Sequence, residues 1–197
     1  MTRQLLNSVR YQGRVWQQIA LHGQDGFEPH RHGFAARGNC TALQRGWYAE
    51  FSAEPRLRLQ ELHVNHWVEG LLPVLQRRVS GPMFNGVSAV PGSRYRCNSL
   101  YRELELSIPF SGGLLLARDY YVSLGGRYGN AFWMYAQVCE LIYRRGRLVE
   151  AIDHAQTIAL ARGSARKPAG PALAGSVPAD LDPAARERLA PRFRYPY

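Results

Sequence analysis

The chain carries six histidines and three cysteines, the residue types from which a metal site or a thiol nucleophile is built. In PHRHG, residues 29 to 33, His30 and His32 would share a face if the segment were extended, and two imidazoles on one face can clip a metal ion. A complete site needs a third ligand. His22, His63, His66 and Cys40 are the choices, and none stands at a recognisable spacing. The flanking proline and glycine predict a solvated loop instead. In HVNHW, His63 and His66 are three apart, whereas the helical zinc-protease pattern needs histidines at i and i+4 with a glutamate between them. Cys40 lies between Arg37 and Arg45, charges that could lower a thiol pKa, but activation also requires a base in contact. Cys97, beside Arg94 and Arg96, is the weaker case, and most free cysteines are small core residues. No CxxC spacing occurs, so neither a zinc ribbon nor a disulfide framework is expected. Glu103 and Glu105 would share one strand face about 7 Å apart, a separation suited to a glycosidase pair but common on solvated strands. FSGG (110–113) and SLGGRYGN (123–130) match neither a phosphate loop nor a dinucleotide fingerprint, and they predict hairpin turns. No catalytic residue, metal ion or cofactor is therefore expected.

The stronger signal is arginine interleaved with aromatics, in RYR (94–96), YRR (143–145) and RFRYPY (192–197). Such pairs suit stacking on nucleic acid and equally suit protein–protein hot spots. The expected binding surface is Arg45, Arg94, Tyr95, Arg96, Tyr143, Arg144, Arg145 and Arg147. Net charge is +10, with 24 arginines and a single lysine, Lys167. That bias, with abundant Ala, Gly and Pro, is the mark of a GC-rich coding sequence. The charge alone is thus a poor guide to a polyanion partner. Arg45 has a structural reading as well, in which it pairs with a carboxylate such as Glu140.

These groups need a scaffold, and the patterning predicts a mainly β one. Apolar residues are 46% of the 197, enough for one core. RVWQQIAL (14–21), GWYAEFSA (46–53), RLRLQEL (56–62), LYRELELSI (100–108) and YYVSL (120–124) read as strands. In 46–62, Trp47, Ala49, Phe51 and Ala53 share a face and a turn follows near Ala53–Pro55. Leu57 and Leu59 then return on the same face, and the phase of Leu62 and Val64 predicts a bulge near Gln60–Glu61. In 100–108, Leu104, Leu106 and Ile108 alternate with Tyr101, Glu103 and Glu105, the pattern of one continuous half-buried strand. VCELIYRRGRLVEAI predicts a hairpin turning at Arg144–Gly146. Helices are expected from about Leu72, over 154–162, and after Asp182 as N-cap. The fold expected is antiparallel hairpins in a single sheet, or a partly closed barrel or sandwich, with one or two short helices and α+β as the alternative. The β-rich domain spans 1–154. Residues 155–197 are a helix followed by a flexible Ala/Pro/Arg-rich tail, with a linker near 163–179. RFRYPY reads as a disordered end, or as a segment that docks on the body or on a partner. No run of 18 apolar residues and no leader-like start is present, which predicts a cytoplasmic protein without a membrane span.

Taken in order, NCTALQRGWYAEFSAEPRLRLQEL, PFSGGLLLARDYY and VCELIYRRGRLVEA resemble a family of small, uncharacterised bacterial β-rich proteins over about residues 4 to 153. The long 66–98 segment and the tail after 155 depart from its pattern. The resemblance implies no activity. It implies an immunity or accessory role beside a toxin or secretion system. The leading expectation is a non-enzymatic protein whose partner is another protein, a toxin or effector. The alternative is a basic nucleic-acid-binding accessory protein. The third reading is a small enzyme using Cys40 or a histidine cluster.

Overall fold

The computed structural model describes residues 4–68, 77–91, 96–120, 132–164 and 193–197. Its strands in chain order are β1 (Ser8–Tyr11), β2 (Arg14–Gln24), β3 (Trp47–Ser52), β4 (Arg58–Val64), β5 (Trp67–Val68), β6 (Arg77–Arg78), β7 (Ser99–Tyr101), β8 (Leu106–Ser107), β9 (Ser111–Tyr120), β10 (Tyr135–Arg144) and β11 (Arg147–Asp153). One α-helix, α1 (Ala155–Ser164), follows. The protein is mainly β. Nine strands form one mixed sheet that is not closed into a barrel, ordered β11-β10-β9-β2-β1-β3-β4-β7, with β8 also on β4. β5 and β6 pair separately. No helix among the described residues is long and apolar enough to cross a membrane.

The hairpin expected over 46–62 is β3–β4. Ala49, Phe51, Ala53, Leu57 and Leu59 all enter the core, and the pairing skips Gln60 between Phe51–Leu59 and Glu50–Glu61. β9 carries the run Leu114–Leu115–Leu116–Ala117 because both of its faces are covered. Leu114 and Leu116 join the main core with Leu141 and Tyr143. Leu115 and Ala117 join a second cluster with Val138 and with Ile158 of α1.

The expected antiparallel hairpins are present in a single sheet, which is mixed because β1 lies parallel to β3. Two expectations change. Residues 100–108 are not one strand. Glu103 and Glu105 take left-handed backbone conformations, so Tyr101 turns fully inward at 0% exposure instead of lining a wet face. Leu104 is held between them by its amide on the Gln60 carbonyl at 3.0 Å and by the Asn85 amide on its own carbonyl at 2.7 Å. The FSGG glycines make no turn, since Ser111–Gly113 open β9. A Cβ on Gly112 would lie 2.1 Å from the His22 carbonyl oxygen, and one on Gly113 would lie 2.1 Å from the Tyr197 hydroxyl. These glycines serve close approach. Of the two readings of RFRYPY, residues 193–197 follow the docked one: the Arg194 and Tyr195 amides donate to Glu140 at 3.0 and 3.2 Å. YYVSL after Tyr120, SLGGRYGN, the stretch 72–76, the linker after Ser164 and the helix after Asp182 lie outside the described residues.

Glu140 is the polar centre of the second face. Its carboxylate is 0% exposed and takes, besides those two amides, the Tyr197 hydroxyl at 3.0 Å and His154 Nε2 at 3.0 Å. Phe193 packs edge-on against His154, 4.7 Å between centroids. An anion taken out of water is tolerated only when its lone pairs are met. Glu140→Gln keeps the shape and removes the charge. It is expected to lower unfolding stability in a urea titration by roughly 3 kcal/mol and to free residues 193–197 to rapid amide exchange.

Candidate functional site

The expected binding residues divide sharply. Arg94 and Tyr95 lie outside the described residues. Arg96 is exposed, and its carbonyl accepts from the Asn39 amide at 2.7 Å. Arg45 is exposed but its guanidinium is engaged within the chain, and it does not meet Glu140. Its guanidinium lies over the Trp47 ring at 4.3 Å, donates to the Trp47 carbonyl at 2.7 Å and reaches Asn7 Oδ1 at 2.5 Å. Asn7 Oδ1 also accepts the Ala49 amide at 3.0 Å, so Arg45 fastens β3 to the segment leading into β1. Burial lowers its pKa to about 10, still cationic at neutral pH.

Tyr143 is the clearest correction. It is 1% exposed, inside the main core, with its hydroxyl donating to the Ala53 carbonyl at 2.7 Å. Its parity with Cys139 and Leu141 turns it to the face of β10 that meets the main core. It is therefore a positioning residue, tying the β10–β11 turn to the β3–β4 turn. The two turns are joined again by an antiparallel bridge between Arg56 and Arg147, with the Leu57 amide on the Gly146 carbonyl at 2.9 Å. The β10–β11 turn itself needs left-handed backbone at Arg145 (φ 47°) and Gly146 (φ 75°), and the Arg145 amide is held by Ser111 Oγ at 2.9 Å.

The result is an arginine end. Arg144, Arg145 and Arg147 are exposed on one turn, and Arg56 is exposed on the other. None of the four has an ion pair among the described residues. The nearby Glu54 accepts the Gln12 amide at 2.9 Å, and Arg58 is engaged with Glu105 at 2.9 Å. Arg56 escaped the sequence reading, because nothing local links residue 56 to residue 147.

The histidine pairs do not assemble as the spacing suggested. His30 faces solvent near Glu28 at 3.8 Å, while His32 stacks on Phe27 at 5.2 Å between centroids. His66 Nδ1 accepts the Ala35 amide at 3.1 Å, and burial lowers its pKa. The thiol of Cys139 is pushed up to about 12 by burial, then by Asp153 and Glu140, so it is inert at neutral pH. Cys40 is half-buried beside Leu43, Tyr48 and Cys97. Among the described residues one group of three His, Cys, Asp or Glu side chains converges, Glu50, Glu61 and His63, and it contains no cysteine.

Compared with protein-family models, with characterised proteins and with solved structures, the chain shows no match.

Burial raises the pKa of Tyr143 above its ordinary value of 10.0. The folded state thus keeps a proton that the unfolded chain loses, and the stabilisation, complete below pH 10, is lost as pH rises above it. Spectrophotometric titration of the native protein is expected to leave a tyrosine un-ionised beyond that point until unfolding. Tyr143→Phe is expected to flatten the alkaline loss of stability and to cost about 1 kcal/mol at neutral pH through the lost hydrogen bond.

His66 has the opposite sign. Its folded pKa lies below the ordinary 6.5, so stability is lost as pH falls from 6.5 toward the folded value, where only the unfolded chain gains a proton. His66→Asn is expected to reduce the slope of the unfolding midpoint against pH in that window.

Proposed function

We propose that the protein acts by binding another protein, and that the arginine end is the part that engages an acidic surface of the partner. One observation carries this reading: two turns distant in sequence are pinned together so that Arg56, Arg144, Arg145 and Arg147 stand exposed on one site, without an ion pair among the described residues. Arginine presents a planar fork of donors that fits carboxylates two at a time, and clustered guanidinium groups speed encounter with an acidic partner. The proposed class of partner, a bacterial toxin or effector, draws on the resemblance in residues 4 to 153 described above.

The same charge would also attract nucleic acid. Against a single-strand platform stands the burial of Tyr143, the ring that would have stacked a base beside Arg144 and Arg145.

The test compares wild type with the charge-reversed set R56E, R144E, R145E and R147E, both tethered and exposed to lysate of the native host. A specific protein recovered by wild type and lost from the reversed set is the expected result. Recovery unchanged by the reversal counts against the arginine end. Binding of DNA whose affinity falls ~1000-fold or more between ~50 and ~200 mM salt would move the reading to nucleic acid.

A further inference from the structure

We propose that Glu50, Glu61 and His63 bind a first-row divalent metal ion, zinc being the natural probe, on the outer face of the β3–β4 hairpin. This departs from the expectation of no metal drawn from the sequence alone.

The register builds the site. Glu50 pairs with Glu61 and Tyr48 pairs with His63 across the hairpin, so two carboxylates lie directly opposite each other on one face. Like charges in directly opposed positions oppose strand pairing unless something offsets them. The bulge is what creates this juxtaposition. With strict alternation Glu61 would follow Leu59 into the core; skipping Gln60 sends Leu59 and Leu62 into the main core and turns Glu61 and His63 to the opposite face of the hairpin.

One donor atom from each of the three side chains lies within 4.8 Å of the others, close enough for small rotations to bring all three onto one ion. His63 is 2% exposed, and its Nε2 is 3.4 Å from Glu61 Oε2. The other oxygen of Glu61 faces the Arg102 guanidinium at 3.9 Å, which leaves Oε2 as the inward donor. Glu50 is oriented in turn: Tyr48 donates to Glu50 Oε1 at 3.3 Å, and Ser8 Oγ and the Tyr48 hydroxyl are hydrogen-bonded at 2.7 Å. Ser8 stands beside Glu50 in the parallel β1–β3 pair, so three strands fix the set. Outer groups that orient ligands in this way are typical of built metal sites.

The donor set selects the ion class. One imidazole nitrogen and two carboxylate oxygens suit zinc, manganese, iron(II) or cobalt(II), whereas calcium and magnesium prefer all-oxygen shells. Three protein ligands leave at least one coordination position for water or a second molecule.

The experiment titrates chelator-stripped full-length protein with zinc by calorimetry, in wild type, Glu50→Gln, Glu61→Gln and the double variant His30→Gln/His32→Gln. The expected result is one equivalent bound by wild type, roughly tenfold or more weaker binding in each glutamine variant, and no change in the His30/His32 variant. Zinc should also raise the wild-type melting temperature more than that of Glu50→Gln. If a variant fails to fold, the cobalt(II) spectrum of wild type decides. Weak visible bands without a thiolate charge-transfer band support nitrogen and oxygen ligation. No saturable one-equivalent binding, binding that follows His30 and His32, or a thiolate band placing the metal on cysteine would each overturn the proposal.

Discussion

A carboxylate with no exposed surface, Glu140, organises the outer half of this molecule. Burial strips its hydration, and the chain restores it with two main-chain amides, a tyrosine hydroxyl and an imidazole. Those donors come from opposite ends of a long stretch of chain. His154 joins β11 to α1, and the other three belong to residues 193–197. Meeting one desolvated charge therefore fixes the start of the helix and the docking of the last residues at the same place. On its other face, β10 sends Tyr143 to the Ala53 carbonyl. A single strand thus ties the final segment on one side and the β3–β4 turn on the other.

Departures from regular strand geometry place the chemistry. The skipped Gln60 in β4 turns Glu61 and His63 to the face of the hairpin opposite the main core, and left-handed backbone at Arg145 and Gly146 tightens the turn that displays three arginines. Ideal strands would have turned the first pair toward the main core. The two sites also differ in kind. The arginine end is exposed cationic surface suited to encounter, while the Glu50–Glu61–His63 group is partly covered and held by side-chain hydrogen bonds.

Local alternation made the β3–β4 hairpin, its bulge and the β10–β11 turn readable before any coordinates, because a two-residue period and a glycine at a turn are short-range signals. Pairings between distant segments were not readable. The parallel register of β1 on β3, the Arg56–Arg147 bridge and the capture of residues 193–197 each join residues with no pattern in common. Tyr143 is instructive in another way. Its place beside Arg144 and Arg145 suggested a binding surface, yet it shares strand phase with Cys139 and Leu141 of the main core. Grouping by residue chemistry outweighed grouping by strand phase, and phase was the better guide. His63 was noticed for its spacing from His66, whereas its structural neighbours are Glu61 two residues before it and Glu50 on the adjoining strand.

The way Glu140 holds the last residues also bears on how this sequence can drift. The carboxylate takes main-chain amides at 194 and 195, so neither position accepts proline, which has no N–H to give. The proline present, Pro196, stands one place beyond, where none of these bonds needs an amide. Gly113, by contrast, has Tyr195 and Tyr197 resting where a Cβ would be. Over generations Gly113, Glu140 and Tyr197 must change together or not at all.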